Sequence, residues 1–225
     1  MGLDRVRTAI TLAGCMLALT ATGCDDDDTR PTRLLREQPA AKFVPIEGSV
    51  VTQTRTLRAG FLGRRFTLCL PSADRRAFPS DTLVVERVGT VGESLTFLDG
   101  ARRHVYACDG GVDAAGERAA PWCGLSVGRL FDGRLLDPRL DVLCRARGGE
   151  ALAYAWVVPI DGAHWIGVDQ GTYIELYEVA AGLPVRIAST RGVDRARARA
   201  TFDITQYDVR GKPLVRARLE AGVAG

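Results

Sequence analysis

The sequence predicts an all-β protein, built as an antiparallel sandwich or a barrel-like closure of one. Three observations point there. From Ser49 onward, short apolar runs are broken by polar residues or glycine at intervals of about 8–12 residues, the spacing of strands and tight turns. Glycine is abundant, 25 of 225 residues, and is scattered through the second half between those runs. No segment sustains the 3.6-residue apolar period of an amphipathic helix. An apolar content of 46% with 7% aromatics supports a packed globular core rather than a disordered chain.

The pattern places strands at 49–58, 64–70, 82–88, 93–98, 103–108, 122–130 and 139–146, then at 151–160, 163–169, 173–179, 184–190, 196–208 and 213–220. In 151–160, Leu152, Tyr154, Trp156, Val158 and Ile160 alternate with small residues such as Ala153 and Ala155. The large face belongs to a core, and the alanine face invites close approach by another element. The last two strands form a hairpin around Arg210-Gly211. Pairing Phe202 with Leu219 and Ile204 with Ala217 puts apolar residues on one side. The same register sets Asp203 opposite Arg218, Thr205 opposite Arg216 and Thr201 opposite Glu220. Ser94–Gly100 aligns with Trp165–Gly171, and Val105-Tyr106 with Leu176-Tyr177 at the same offset. That similarity suggests two related β modules, 49–120 and 121–225.

The first 23 residues have a different character. Arg5 and Arg7 precede an apolar run, Thr8 to Gly23, that ends in small residues before Cys24. This is the build of an export signal, and the run is short of the ~20 residues that span a bilayer as a permanent helix. Ala21-Thr22-Gly23-Cys24 resembles the lipobox of bacterial lipoproteins. The resemblance covers residues 1–24 alone; the remainder is similar to uncharacterised exported lipoproteins only in composition. It implies cleavage before Cys24, a diacylglycerol on the Cys24 thiol and a further acyl chain, such as palmitate, on the new N-terminus. Leu12-Ala13-Gly14-Cys15 also has the lipobox pattern, but only about seven residues separate Cys15 from Arg7, too few for an apolar signal core. Residues 24–47 then read as a tether, with an acidic run at Asp25–Asp28, Pro31 and no apolar period. A short helix could form over 33–42. The body of the protein runs from 48 to 225.

Cysteine use fits that division. With Cys15 discarded and Cys24 acylated, Cys69, Cys108, Cys123 and Cys144 remain, an even set for an oxidising compartment. The favoured pairing is Cys108–Cys123 across a Gly- and Ala-rich loop, which leaves Cys69 for Cys144. Cys69–Cys108 with Cys123–Cys144 is the next choice. Their spacings contain no C-x2-C pair, which argues against structural zinc.

The search for chemistry yields little. His104 and His164 are the only histidines, both placed at strand ends. Gly124-Leu125-Ser126-Val127-Gly128 has the G-x-S-x-G spacing, but it falls inside the strand placed at 122–130 and not on the strained strand-to-helix turn a nucleophile elbow needs. Gly89 to Ser94 resembles a phosphate loop but lacks its lysine and its helix, so a strand turn is expected. Asp109, Asp113 and Glu117 share a region with the oxygen ligands calcium prefers, but their spacing matches no calcium loop, and a solvated loop is the simpler reading. The sequence implies no cofactor and no metal. From Gly48 onward, 24 basic residues face 20 acidic ones, an excess too thin for nucleic acid. Arg195, Arg197 and Arg199 alternate on one predicted strand, and Arg216 and Arg218 lie on the outward face of its partner. These five could touch an anionic lipid or cell-wall surface, or simply guard a sheet edge against pairing. The expected protein is therefore a lipid-anchored envelope lipoprotein on the extracytoplasmic face of the cell membrane. It would serve as a non-enzymatic binding or structural module with an envelope-protein or cell-wall partner. An envelope hydrolase with a carboxylate-based site is the alternative.

Overall fold

A computed structural model describes residues 46–70, 78–111, 123–131, 134–135, 142–145 and 150–222. The expected signal peptide, Cys24, the expected helix at 33–42 and most of the expected tether lie outside those residues. The described chain begins with β1 (Ser49–Val51) and β2 (Gln53–Arg58), followed by two short helices, α1 (Ala59–Leu62) and α2 (Arg64–Cys69). Next come β3 (Leu83–Val88), β4 (Gly92–Leu98), β5 (His104–Gly111), β6 (Gly124–Phe131), β7 (Arg134–Leu135) and β8 (Val142–Arg145). The rest is β9 (Ala151–Val157), β10 (Trp165–Asp169), β11 (Ile174–Glu178), β12 (Val185–Ser189), β13 (Val193–Asp194), β14 (Arg199–Tyr207) and β15 (Pro213–Gly222). The all-β expectation holds.

The described strands form three sheets. One runs β2-β3-β4-β5-β6-β7, a second is β12-β9-β8, and the third is β1-β11-β10-β14-β13 with β15 on the other side of β14. β1 joins β11 in parallel, and the other described pairs are antiparallel. The sheets do not divide at 120/121. β1 sits among the late strands, and β6 and β7 sit with the early ones. The segments matched in sequence, 94–98 and 165–169, both open antiparallel hairpins. Fifteen residues separate Ser94 from its partner Asp109, whereas thirteen separate Trp165 from Glu178.

β9 explains how the sheets stack. Its small residues Ala153, Ala155 and Val157 pack with Ile166, Tyr177 and Phe202 of the third sheet. Its large residues point the other way: Trp156 meets Val105 and Ala107 of β5, and Leu152 and Tyr154 pack with Ala188 and Val91. Both faces are therefore core, and the middle sheet is sandwiched. Small residues on one face let the third sheet approach closely, as large-to-small interdigitation requires. Val158 and Ile160, expected in that core, fall beyond the strand and are exposed. On the far face of the first sheet, Phe66, Phe78 and Phe97 form an edge-to-face cluster with centroids 4.9–6.3 Å apart.

Three element expectations need correction. Residues 64–70 are helical, not extended. Leu62, Phe66 and Leu70 recur every four residues and are buried, while Leu68 is 61% exposed. A strand would have placed Leu68 beside Phe66 and Leu70 on one face. Residues 49–58 split at Thr52, whose N–H donates to the Leu176 carbonyl at 2.8 Å. The strand expected at 196–208 begins at Arg199, because 195–198 form a turn with Ala198 at φ 49°. The C-terminal hairpin has the expected register at Phe202–Leu219, Asp203–Arg218, Ile204–Ala217, Thr205–Arg216 and Thr201–Glu220, and shifts by one residue between Gln206 and Tyr207, where Tyr207 pairs with Pro213. Its turn uses Gly211 at φ 79°, and Asp208 Oδ1 accepts from the Arg210 and Lys212 N–H groups at 2.8 Å.

The cysteine pairing also differs from the favoured one. Cys69 at the end of α2 is bridged to Cys108 on β5 with Cα atoms 5.8 Å apart, so Cys108 is not available to Cys123. Helix α2 lies against the Cys108 face of the first sheet, which brings the two thiols together. Cys123 is disulfide-bonded as well. Of Cys144, only the backbone in β8 is among the described features.

Candidate functional site

The outer face of the third sheet carries a groove of about 670 Å³. Strand alternation decides what lines it. Ile166 and Val168 of β10 and Phe202 and Ile204 of β14 face the core, so Gly167, Asp169, Asp203, Thr205 and Tyr207 face outward. Gly167 pairs with Thr205, and Thr205 pairs with Arg216, which sets three neighbours across the floor. Tyr173 and Ile174, at the start of β11, form one wall. Arg216 and Arg218 of β15 form the other. One end is closed where Tyr207 packs with Trp165, Leu176 and Ile46.

Gly167 is required for that closure. A Cβ there would stand 2.7 Å from the Tyr207 ring and 3.0 Å from Ile174. An isolated glycine inside a strand marks such a close approach. Gly48 lies at the rim, where its carbonyl accepts from the Ile174 N–H at 3.0 Å. The chain therefore enters the fold beside the groove.

The charges of the groove can be followed one by one. Asp169 accepts from the Gly171 N–H at 2.6 Å and meets Arg191 at 2.5 Å. The Gly171 N–H is the main cause that holds its carboxyl below the ordinary carboxylate range; burial opposes this and Arg191 adds to it. Asp203 lies 3.9 Å from Arg218. Arg216 has no hydrogen bond or ion pair among the described residues, and the Thr205 and Tyr207 side chains have no hydrogen bond there either. Tyr173 is fixed from behind, its hydroxyl 2.5 Å from Thr90 Oγ1 in the β3–β4 turn. The phosphate-loop resemblance at 89–94 thus resolves into a hairpin turn that braces the groove wall.

The five arginines expected to touch an anionic surface separate into two groups. Arg216 and Arg218 lie on the outward face of β15 as expected and line the groove. Arg199 opens β14 opposite Gly222 and, two positions apart along the strand from Thr201, shares the outward face. Arg195 and Arg197 sit in the turn before it, so they do not extend a strand-face row. Arg197 is tied to Asp194, its N–H 3.1 Å from Oδ1.

Other candidate residues serve structure. His104 Nδ1 is 3.0 Å from Asp99 Oδ2. Burial pushes the Asp99 carboxyl up, but hydrogen bonds from His104 and Arg103 outweigh it and hold the group below its ordinary value. His164 stands edge-on to Trp165 at 5.2 Å. Asp109, placed by sequence in a solvated loop, is instead fully buried on β5; Asp113 and Glu117 lie outside the described residues. Among the described residues no group of three His, Cys, Asp or Glu side chains is placed to hold a metal, and no helix is long and apolar enough to cross a membrane.

No known protein family, curated protein or solved structure matches the chain.

Proposed function

We propose that the chain is exported, loses residues 1–23, is acylated on Cys24 and displays its β domain on the extracytoplasmic face of the cell membrane as a non-catalytic binding module. The observation that carries the binding half of this reading is the groove on the third sheet. Its carboxylates are turned to neighbours: Asp169 to Gly171 and Arg191, and Asp203 to Arg218. A general acid needs a carboxyl whose pKa is raised toward neutrality. Asp169 is shifted the other way. The groove instead offers hydroxyls and a guanidinium without protein partners among the described residues, which suits recognition of a bound group.

The bridged cysteines support the export half, since disulfides persist in oxidising compartments. With Cys15 removed and Cys24 acylated, Cys144 is the one cysteine left to bridge Cys123. Ile46, packed on Trp165 and Tyr207, then fastens the end of the tether to the domain.

A mass spectrum of the mature protein tests the proposal. The expected N-terminus is Cys24 bearing diacylglycerol and an acyl amide. Cys24→Ser should release the protein from the membrane fraction. An unprocessed polypeptide in the cytosol, residues 1–23 attached, overturns the reading.

A further inference from the structure

We infer that the groove on the third sheet binds a hydroxylated monoanion of the acidic-sugar type, a uronate residue within an envelope polysaccharide. The inference rests on the reading of that groove as the binding surface and adds the class of ligand.

The argument begins with what the protein leaves unanswered. Asp169 has Arg191, and Asp203 has Arg218. Arg216 is the lining charge without a counter-charge among the described residues, so the groove has one position for one anionic group. The planar guanidinium fork matches a carboxylate in bidentate fashion. Thr205 stands directly across from Arg216, and Tyr207 follows two residues along the same strand face. Their hydroxyls have no protein partners among the described residues. Cross-strand neighbours have Cβ atoms about 4.5–5.5 Å apart, and next-but-one residues on a strand are separated by about 6.5 Å. That spread suits a hexose ring bearing a carboxylate on one side and hydroxyls on the other.

The outer walls fit a sugar as well. Tyr173 lines the groove with its hydroxyl held by Thr90. Asp203 and Asp169, both about half exposed, are acceptors for ligand hydroxyls. They would also repel a doubly charged group, which disfavours a phosphate monoester.

The test uses full-length acylated protein in detergent micelles. Tryptophan emission reports binding, because Trp165 packs against Tyr207 at the closed end. The probes are trigalacturonate, neutral galactotriose and glycerol 3-phosphate. Trigalacturonate should change the emission saturably, with galactotriose at least about ten-fold weaker, as loss of one charge-assisted pair implies. Arg216→Gln should lower trigalacturonate affinity about ten-fold. Arg195→Gln, in the distant turn, should match wild type.

Equal binding of acidic and neutral trisaccharides, or an unchanged Arg216→Gln variant, overturns the inference. Tighter binding of glycerol 3-phosphate assigns the anion position to phosphate, from a lipid headgroup or a polymer, and overturns the sugar. Silence from every probe, with Cys24 shown to be acylated, defeats the inference and leaves the envelope reading intact. Trigalacturonate binding by a chain found unprocessed in the cytosol does the reverse.

Discussion

Asp109 and Glu175 are equally dry, each with 0% of its surface exposed, yet they are answered in different ways. Asp109 on β5 reaches across to β12, where Arg186 donates to it at 2.8 Å, and Ser126 Oγ donates at 3.0 Å. Arg186 is itself flanked by Trp156 and Tyr154, its guanidinium carbon 4.9 and 5.5 Å from their ring centroids. Glu175 on β11 has only neutral donors among the described residues. Thr90 gives its N–H at 2.5 Å and its hydroxyl at 3.0 Å, and Gln170 Nε2 and Tyr177 Oη each stand at 3.0 Å. Burial pushes the Glu175 carboxyl above its ordinary value in spite of those four bonds. The contrast shows two ways of joining sheets: strand to strand, Asp109 of β5 meets Arg186 of β12 as a full ion pair. Where one hairpin turn docks onto a strand, neutral hydrogen bonds serve, and the cost of keeping the charge is visible in the pKa.

The largest effect should come from breaking the ion pair on one side. Asp109→Ala leaves a buried guanidinium without its carboxylate and should lower the unfolding free energy by about 3–5 kcal/mol. Urea denaturation measures it. Adding Arg186→Met to that variant should recover a substantial part, since a dry apolar pair can replace a buried ion pair. A double variant as unstable as the single one would mean that the stacked Arg186, rather than charge compensation, holds the layers together.

The Glu175 side is sharpened by Gly89→Ala. The new Cβ would run into the Glu175 carboxylate, so the β3–β4 turn must shift away from it. Overpacking of this kind costs about 1–3 kcal/mol. Glu175→Gln should cost less, about 1 kcal/mol, through one mismatched donor at Gln170. Its signature is in the pH dependence. The folded state holds the Glu175 proton more tightly than the unfolded chain does. That contribution is complete below the ordinary value of 4.5 and is lost as pH climbs through the raised folded value. Wild type should therefore lose stability over that upward window, and Glu175→Gln should lose less. Identical slopes for the two proteins would show that the carboxyl titrates no differently when folded.

These two sites also mark the limit of sequence reading. The strand pattern located most elements, because a period of two is set by adjacent residues. It failed at 64–70, where Phe66, Leu68 and Leu70 alternate like a strand, and only the burial of Leu62 with Phe66 and Leu70 reveals the helical spacing. Asp109 looked like a loop residue because its neighbours are glycines. Its partner Arg186 is 77 residues away and on another sheet, beyond any local pattern. The disulfide was misassigned for a related reason: the short loop favoured Cys108–Cys123, whereas the packing of α2 on β5 brings Cys69 to Cys108. The groove had a legible half, Arg216 and Arg218 beside Asp203 and Thr205, because one hairpin register determines them. Tyr173 and Tyr207 were not found. The usable hint was Gly167, a lone glycine in an otherwise bulky strand.

The smallest effect belongs to that hairpin and opposes the first prediction most directly. Asp203 and Arg218 are an ion pair of the same chemical type as Asp109 and Arg186, but their side chains are 50% and 67% exposed and their nearest atoms are 3.9 Å apart. Water already satisfies both groups, so the pair is worth under ~1 kcal/mol. Asp203→Arg should shift the urea midpoint only slightly, even though it sets two arginines side by side with Arg216 nearby. Added salt should remove most of what shift there is, because exposed charges are screened over about 8–10 Å at ordinary ionic strength. Asp109→Ala, in contrast, should be nearly indifferent to salt. A loss of several kcal/mol from Asp203→Arg would place the outward face of β14 in contact with something, and the difference between the two aspartates would then be one of partner rather than of solvent.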